Sequence, residues 1–159
     1  MTERVDFYVL KSAAAKQRWA FVCRLTEKAY LRDLRVVILN GTLADARALD
    51  DLLWTFNERS FVPHQVCVDE QSADPGTLVH LAVLPAASPG AALPAALPAA
   101  DLLVNLSDRL PAEWERYPRI AEIIDADEDR RRLGRERFKT YRDLKVALET
   151  HQLDETADV

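Results

Sequence analysis

Glycine is scarce in this chain, with only Gly41, Gly76, Gly90 and Gly134 in 159 residues. Neither GxGxxG nor GxxxxGK followed by Ser or Thr can be assembled from them. Both motifs need glycine so that backbone N–H groups can close on a phosphate. The first strand-to-helix turn, YVLKSAAAKQ, has no glycine at all, so no nucleotide or other cofactor is expected. Cysteine is equally short. Cys23 and Cys67 stand alone without CxxC spacing, which signals neither a disulfide framework nor a zinc site and reads as two reduced, partly buried thiols. The three histidines, His64, His80 and His151, have no partner at metal or triad spacing. His80 lies inside an apolar strand and reads as a hydrogen-bonded core residue. No metal is therefore expected, and no enzyme. Long apolar runs are missing too. The longest, around residues 86–100, is Ala and Pro, and Pro excludes a membrane-spanning helix. The opening MTERVDFYVL carries acids and a very short apolar run, so no secretory signal is expected. The expectation is a soluble, cytosolic protein.

What is present is a globular composition, 48% hydrophobic, with room for one domain. VDFYVL, RVVILNGT, FVPHQVCV, TLVHLAVL, DLLVNLS and RIAEIID read as strands, most of them apolar on both faces. Between them, SAAAKQRWAFVCRLTEKAYLRD reads as a helix with Ser12 as N-cap, and LADARALDDLLWTFNE as a second. The last helix is expected from Glu128 to Thr150, with the acids of DADEDRRR at its start favouring the helix dipole. The alternation predicts an α/β fold, a single Rossmann-like domain with a mostly parallel sheet and helices on both faces. The domain is placed at residues 1–150. An Ala/Pro-rich exposed loop covers 85–100, and a polar, flexible tail covers 151–159.

Charge is distributed unevenly. The chain carries a net charge of −5, yet RRRLGRERFKTYR, Arg130 to Arg142, holds seven Lys or Arg against one acid, Glu136. At about 100° per residue, Arg131, Arg135, Phe138, Lys139 and Arg142 share one helical face. The opposite arc takes Leu133, Tyr141, Leu144 and Leu148, and Arg137 falls among them. Arg137 must therefore reach an acid, extend its head to water, or mark a misplaced face. Guanidinium forks flanking an aromatic suit a short acidic peptide that ends in a carboxylate. A solvated basic face is the plain alternative, and direct nucleic-acid binding competes. Against the latter, the acidic remainder of the chain repels phosphate, and aromatics for base stacking are few. A second candidate surface is LLWTFNERSFVPH, where Trp54, Phe56, Phe61 and Val62 crowd a helix end. Trp54 and Phe61 fit either the core or an interface.

The pieces FYVL, LDDLLWTFNERSFVPH and GRERFKTYR, with the strand–helix order, resemble the chi subunit of bacterial DNA polymerase III holoenzyme over most of the chain, to about Arg142. The resemblance implies a non-catalytic accessory protein of the clamp loader whose Rossmann-like fold binds no nucleotide. It implies binding of the acidic C-terminal tail of single-stranded DNA-binding protein, which ends in Phe with a free carboxylate. That site falls on Arg131, Arg135, Phe138, Lys139 and Arg142. A surface for the psi subunit, where psi is present, falls on Trp54, Phe61, Val62, Pro63 and His64. A helicase is a further candidate partner. DNA is contacted only indirectly, no membrane is involved, and the location is cytoplasmic, with the nucleoid reached through the replisome.

Overall fold

The computed structural model describes residues 2–57, 59, 61–67, 76–83, 100–111 and 113–153. The Ala/Pro stretch, apart from Ala100, and the last six residues of the tail lie outside them. Among the described residues seven parallel strands build one sheet: β1 (Arg4–Leu10), β2 (Val36–Asn40), β3 (His64–Cys67), β4 (Val79–Val83), β5 (Leu102–Asn105), β6 (Arg119–Ile124) and β7 (Ala147–Leu153). Their order across the sheet is β3-β4-β2-β5-β6-β1-β7. The helices among the described residues are α1 (Ala15–Tyr30), α2 (Leu43–Thr55) and α3 (Glu128–Asp143), with a short 3-10 turn at Trp114–Arg116. The α/β class and the parallel sheet are as the sequence indicates.

Continuous apolar strands follow from burial on both faces. In β2, Val36 and Ile38 enter a core shared with Phe21, Val22 and Leu25 of α1 and Leu49 and Leu53 of α2. Val37 and Leu39 point the other way, into a core with Trp114, Tyr117 and Tyr141 of α3. Both cysteines are buried and neither is in a disulfide among the described residues, and burial pushes the Cys23 thiol up to about 12. Thr42 caps α2 by accepting from the Asp45 N–H (3.1 Å), and Asp127 caps α3 by accepting from the Arg130 N–H (2.9 Å). Ser12 is not the cap of α1. That position is Ala14, and Ser12 Oγ instead accepts from the Ala14 N–H at 3.1 Å.

The last helix is shorter than its sequence suggests. It ends at Asp143, and residues expected to continue it form β7, which pairs with β1 over its whole length, from Arg4↔Ala147 to Leu10↔Leu153. His151, Gln152 and Leu153, assigned to the tail, belong to this strand. The stop is a Schellman turn. The Val146 N–H donates to Tyr141 O (3.0 Å) and the Lys145 N–H to Arg142 O (3.0 Å), with Lys145 at φ 61°. The end of α1 is closed the same way by Asp33 at φ 60°, with the Leu34 N–H donating to Ala29 O (3.1 Å). A chain poor in glycine thus places an Asp and a Lys in the left-handed conformation. That conformation costs roughly 1–2 kcal/mol for a residue with a Cβ. Lys145→Gly should raise stability by about 1 kcal/mol after the entropy of glycine is discounted. Urea unfolding measures this, and an unchanged or lowered midpoint counts against the turn's strain.

Candidate functional site

Helix α3 is held to the sheet by its own cations. Arg130 grips the fully buried Asp125 carboxylate through two bonds, Nε to Oδ1 at 2.8 Å and Nη2 to Oδ2 at 2.7 Å. Arg137 enters the interior. Its Nε donates to Glu122 Oε1 (3.0 Å) and its Nη1 to Asp108 O (3.1 Å). One turn later Tyr141 donates its hydroxyl to Glu122 Oε2 (2.7 Å), and Asn105 Nδ2 reaches the same carboxylate at 3.1 Å. Burial, then the Glu122 charge, raises the Tyr141 hydroxyl well above the ordinary phenol value. Of the three possibilities for Arg137, reaching an acid is the one realised. Removing one partner of a buried pair strands the other charge, at about 3–5 kcal/mol. Arg137→Met should lose that much in urea unfolding, and a loss under about 1 kcal/mol contradicts the anchoring role.

The outward side of α3 forms a groove of about 290 Å³ with the sheet. Phe7 and Val9 of β1 and Ile124 of β6 make its floor, and Phe138 its wall. Arg131 and Arg135 stand at one rim, Thr150 and Gln152 of β7 at the other. Phe138 is half-buried, its ring 5.2 Å from that of Phe7 in an edge-on contact. Gly134 is buried against β6, where an added Cβ would meet Ile124 Cδ1 at 2.6 Å, so its absence lets α3 lie close.

Arg131 donates through Nε to Asp125 O (3.0 Å) and has no acidic partner among the described residues. Arg135 and Lys139, both exposed, likewise have no acidic partner among the described residues. Arg142 is exposed beside Asp143 at 3.5 Å. Arg131, Arg135 and Phe138 thus meet at one groove, while Lys139 and Arg142 continue the cationic line beyond it. Two residues placed on the core side of the helix are elsewhere: Leu144 is 56% exposed just past the helix end, and Leu148 lies in β7. Sequence reasoning missed Phe7, Val9, Ile124, Thr150 and Gln152 as groove residues.

The second set divides. Trp54 and Phe61 are 45% and 68% exposed, their rings 5.4 Å apart. Val62 is buried in the core, and Pro63 is half-buried. His64 is buried beneath Trp54, ring centroids 4.2 Å apart, with its ring nitrogens on Val62 O (2.7 Å) and the Asp50 carboxylate (2.7 Å). Only Trp54 and Phe61 present an apolar surface; Val62 and His64 support it from below.

His151 does find carboxylates, contrary to its expected place in a tail. Its Nε2 lies 3.0 Å from Asp6 Oδ1, and its ring stacks on Tyr8. Asp6, Glu149 and His151 cluster within 4.8 Å of one another, a spacing that can suit a metal ion. The cluster already has its cations, since Arg4 bonds both acids and Arg119 bonds Asp6 (3.3 Å). His80 is buried in β4, as expected of a core histidine. Gly41 follows β2 with nothing within 4 Å of an added Cβ, the setting of a turn glycine. Among the described residues no helix is long and apolar enough to cross a membrane.

The fold and the groove together define a Rossmann-like α/β protein that carries a cationic, apolar-floored cleft and lacks a glycine-rich phosphate turn. The chain matches the family model described as "DNA polymerase III chi subunit, HolC" over residues 1–149. DNA polymerase III subunit chi of Pseudomonas aeruginosa is 31% identical over 150 residues, covering 94% of this chain and 96% of the relative. The subunit of the same name from Haemophilus influenzae is 23% identical over 142 residues, covering 89% and 92%. The chain belongs to the DNA polymerase III chi subunit family, a family of DNA replication.

Proposed function

We propose that this protein is a non-catalytic subunit of the clamp-loader assembly that captures the acidic C-terminal tail of single-stranded DNA-binding protein in the α3 groove. The observation that carries this reading is the pair Arg131 and Arg135. Neither has an acidic partner among the described residues, and both stand over a floor of Phe7, Val9 and Ile124. A peptide terminus ending in Phe offers both complements, a carboxylate for the guanidinium forks and an aromatic ring for the floor. Lys139 and Arg142 continue the positive potential towards the acids upstream. A phosphodiester backbone has no apolar group for such a floor, so direct nucleic-acid binding is the weaker reading. In cells this role is exercised in the cytoplasm, at the nucleoid, wherever the replisome works.

Calorimetric titration with the tail peptide tests the reading. Arg135→Glu should weaken binding by about 1–3 kcal/mol, the scale of a charged hydrogen bond, and added salt should weaken the wild type. Unchanged affinity in Arg135→Glu rejects it, as does tighter binding of an oligonucleotide alone than of the peptide.

The exposed Trp54–Phe61 pair supports a second surface, for the psi subunit where present, with a helicase as a rival for it. Aromatic side chains of this kind anchor interfaces, and truncation of such an anchor typically costs about 2 kcal/mol or more. Trp54→Ala should therefore abolish co-purification with psi while leaving tail-peptide affinity unchanged. Retained co-purification contradicts the assignment.

A further inference from the structure

Strand β7 closes the sheet on the side of the groove, and among the described residues no strand pairs with its outer edge. Exposed edges are usually blunted by shortness, by Lys or Pro, or by a bulge. Strand β3 at the opposite edge has four residues and follows Pro63. Strand β7 is neither short nor carries Lys or Pro, and its one acid, Glu149, is paired with Arg4 of the neighbouring β1. It runs seven residues, ALETHQL, in unbroken register with β1. Its Thr150 and Gln152 line the groove, so the open edge and the cationic site are one continuous surface.

Spacing and direction also agree. From Arg131 to Arg142 the helix advances about 16 Å at roughly 1.5 Å per residue. An extended peptide covers that distance in about five residues at roughly 3.3 Å each. Helix α3 links two parallel strands and runs against them, so Arg131 and Arg135 lie near the strands' C-terminal ends. A peptide whose terminal carboxylate sits at those arginines, with its acids towards Lys139 and Arg142, travels in the same direction as β7.

We infer that the acidic peptide docks as an eighth strand, parallel to β7 along its outer edge, with its last apolar side chain turned into the groove against Phe138. This rests on the tail-binding reading and adds a backbone component to it: main-chain bonds to β7 give affinity indifferent to the peptide's upstream sequence, while the terminal residue and the charges give specificity.

A scan of singly N-methylated tail peptides tests this against the unmodified peptide. A strand's N–H groups face its neighbour at alternate positions, so methylation should weaken binding about tenfold at every second residue and little between. Amide exchange should show matching protection at alternate positions within Ala147–Leu153 on binding. Tolerance at every position, or equal loss at every position, overturns the added strand while tail binding stands. Failure of the unmodified peptide to bind overturns both.

Discussion

The buried carboxylate of Glu122 fixes the orientation of everything on the α3 side of the sheet. It sits in the middle of β6 with its side chain wholly removed from water, a position tolerable only with full compensation. Asn105 of the neighbouring strand supplies one donor, and Arg137 and Tyr141 supply two more from successive turns of α3. Two bonds one helical turn apart set the rotation of the helix about its axis. With Arg137 and Tyr141 turned inward, Arg131, Arg135 and Phe138 fall over β1 and the β7 edge. Gly134 lets the helix settle closely enough for Ile124 to become floor. An ion pair in the core thereby decides where the free cations stand.

The basic run divides accordingly. Arg130 and Arg137 are consumed in holding the helix, one on Asp125 and one on Glu122. Arg132 and Arg142 have exposed acidic neighbours within 4.0 Å, pairs of little energetic weight. Arg131, Arg135 and Lys139 remain. A one-sign segment in an acidic protein is therefore partly structural and partly a surface, with no sharp boundary between the two uses.

The sheet was largely legible, because β-branched runs buried on both faces read the same in sequence and in space. The helix starts at Thr42 and Asp127 carry capping side chains, yet the ends of α1 and α3 carry no glycine. Lys145 in the left-handed conformation is no local sign of a stop, so helical spacing carries on through Leu144 and Leu148 into what is β7. That strand is half polar, with Glu149, Thr150 and Gln152 exposed, and resembles a tail until its pairing with β1 is seen. The cationic half of the groove could be found from helical spacing alone. Its other half comes from Phe7, Val9, Thr150 and Gln152, which only the β1–β7 register brings beneath α3. The sequence does carry a sign of this packing in Glu122, an acid inside an apolar strand that requires a buried donor, with Arg137 the misfit on the matching helix face.

The claim at the centre is that α3 and the β1–β7 edge form one receptor for an acidic peptide terminus. Amide shift mapping of the labelled protein during titration with the tail peptide tests it most directly. Perturbations should concentrate at Arg131–Lys139, Phe7–Val9 and Thr150–Gln152, leaving Trp54 and Phe61 unmoved. Perturbations centred on Trp54 and Phe61, or spread without a focus, would contradict it.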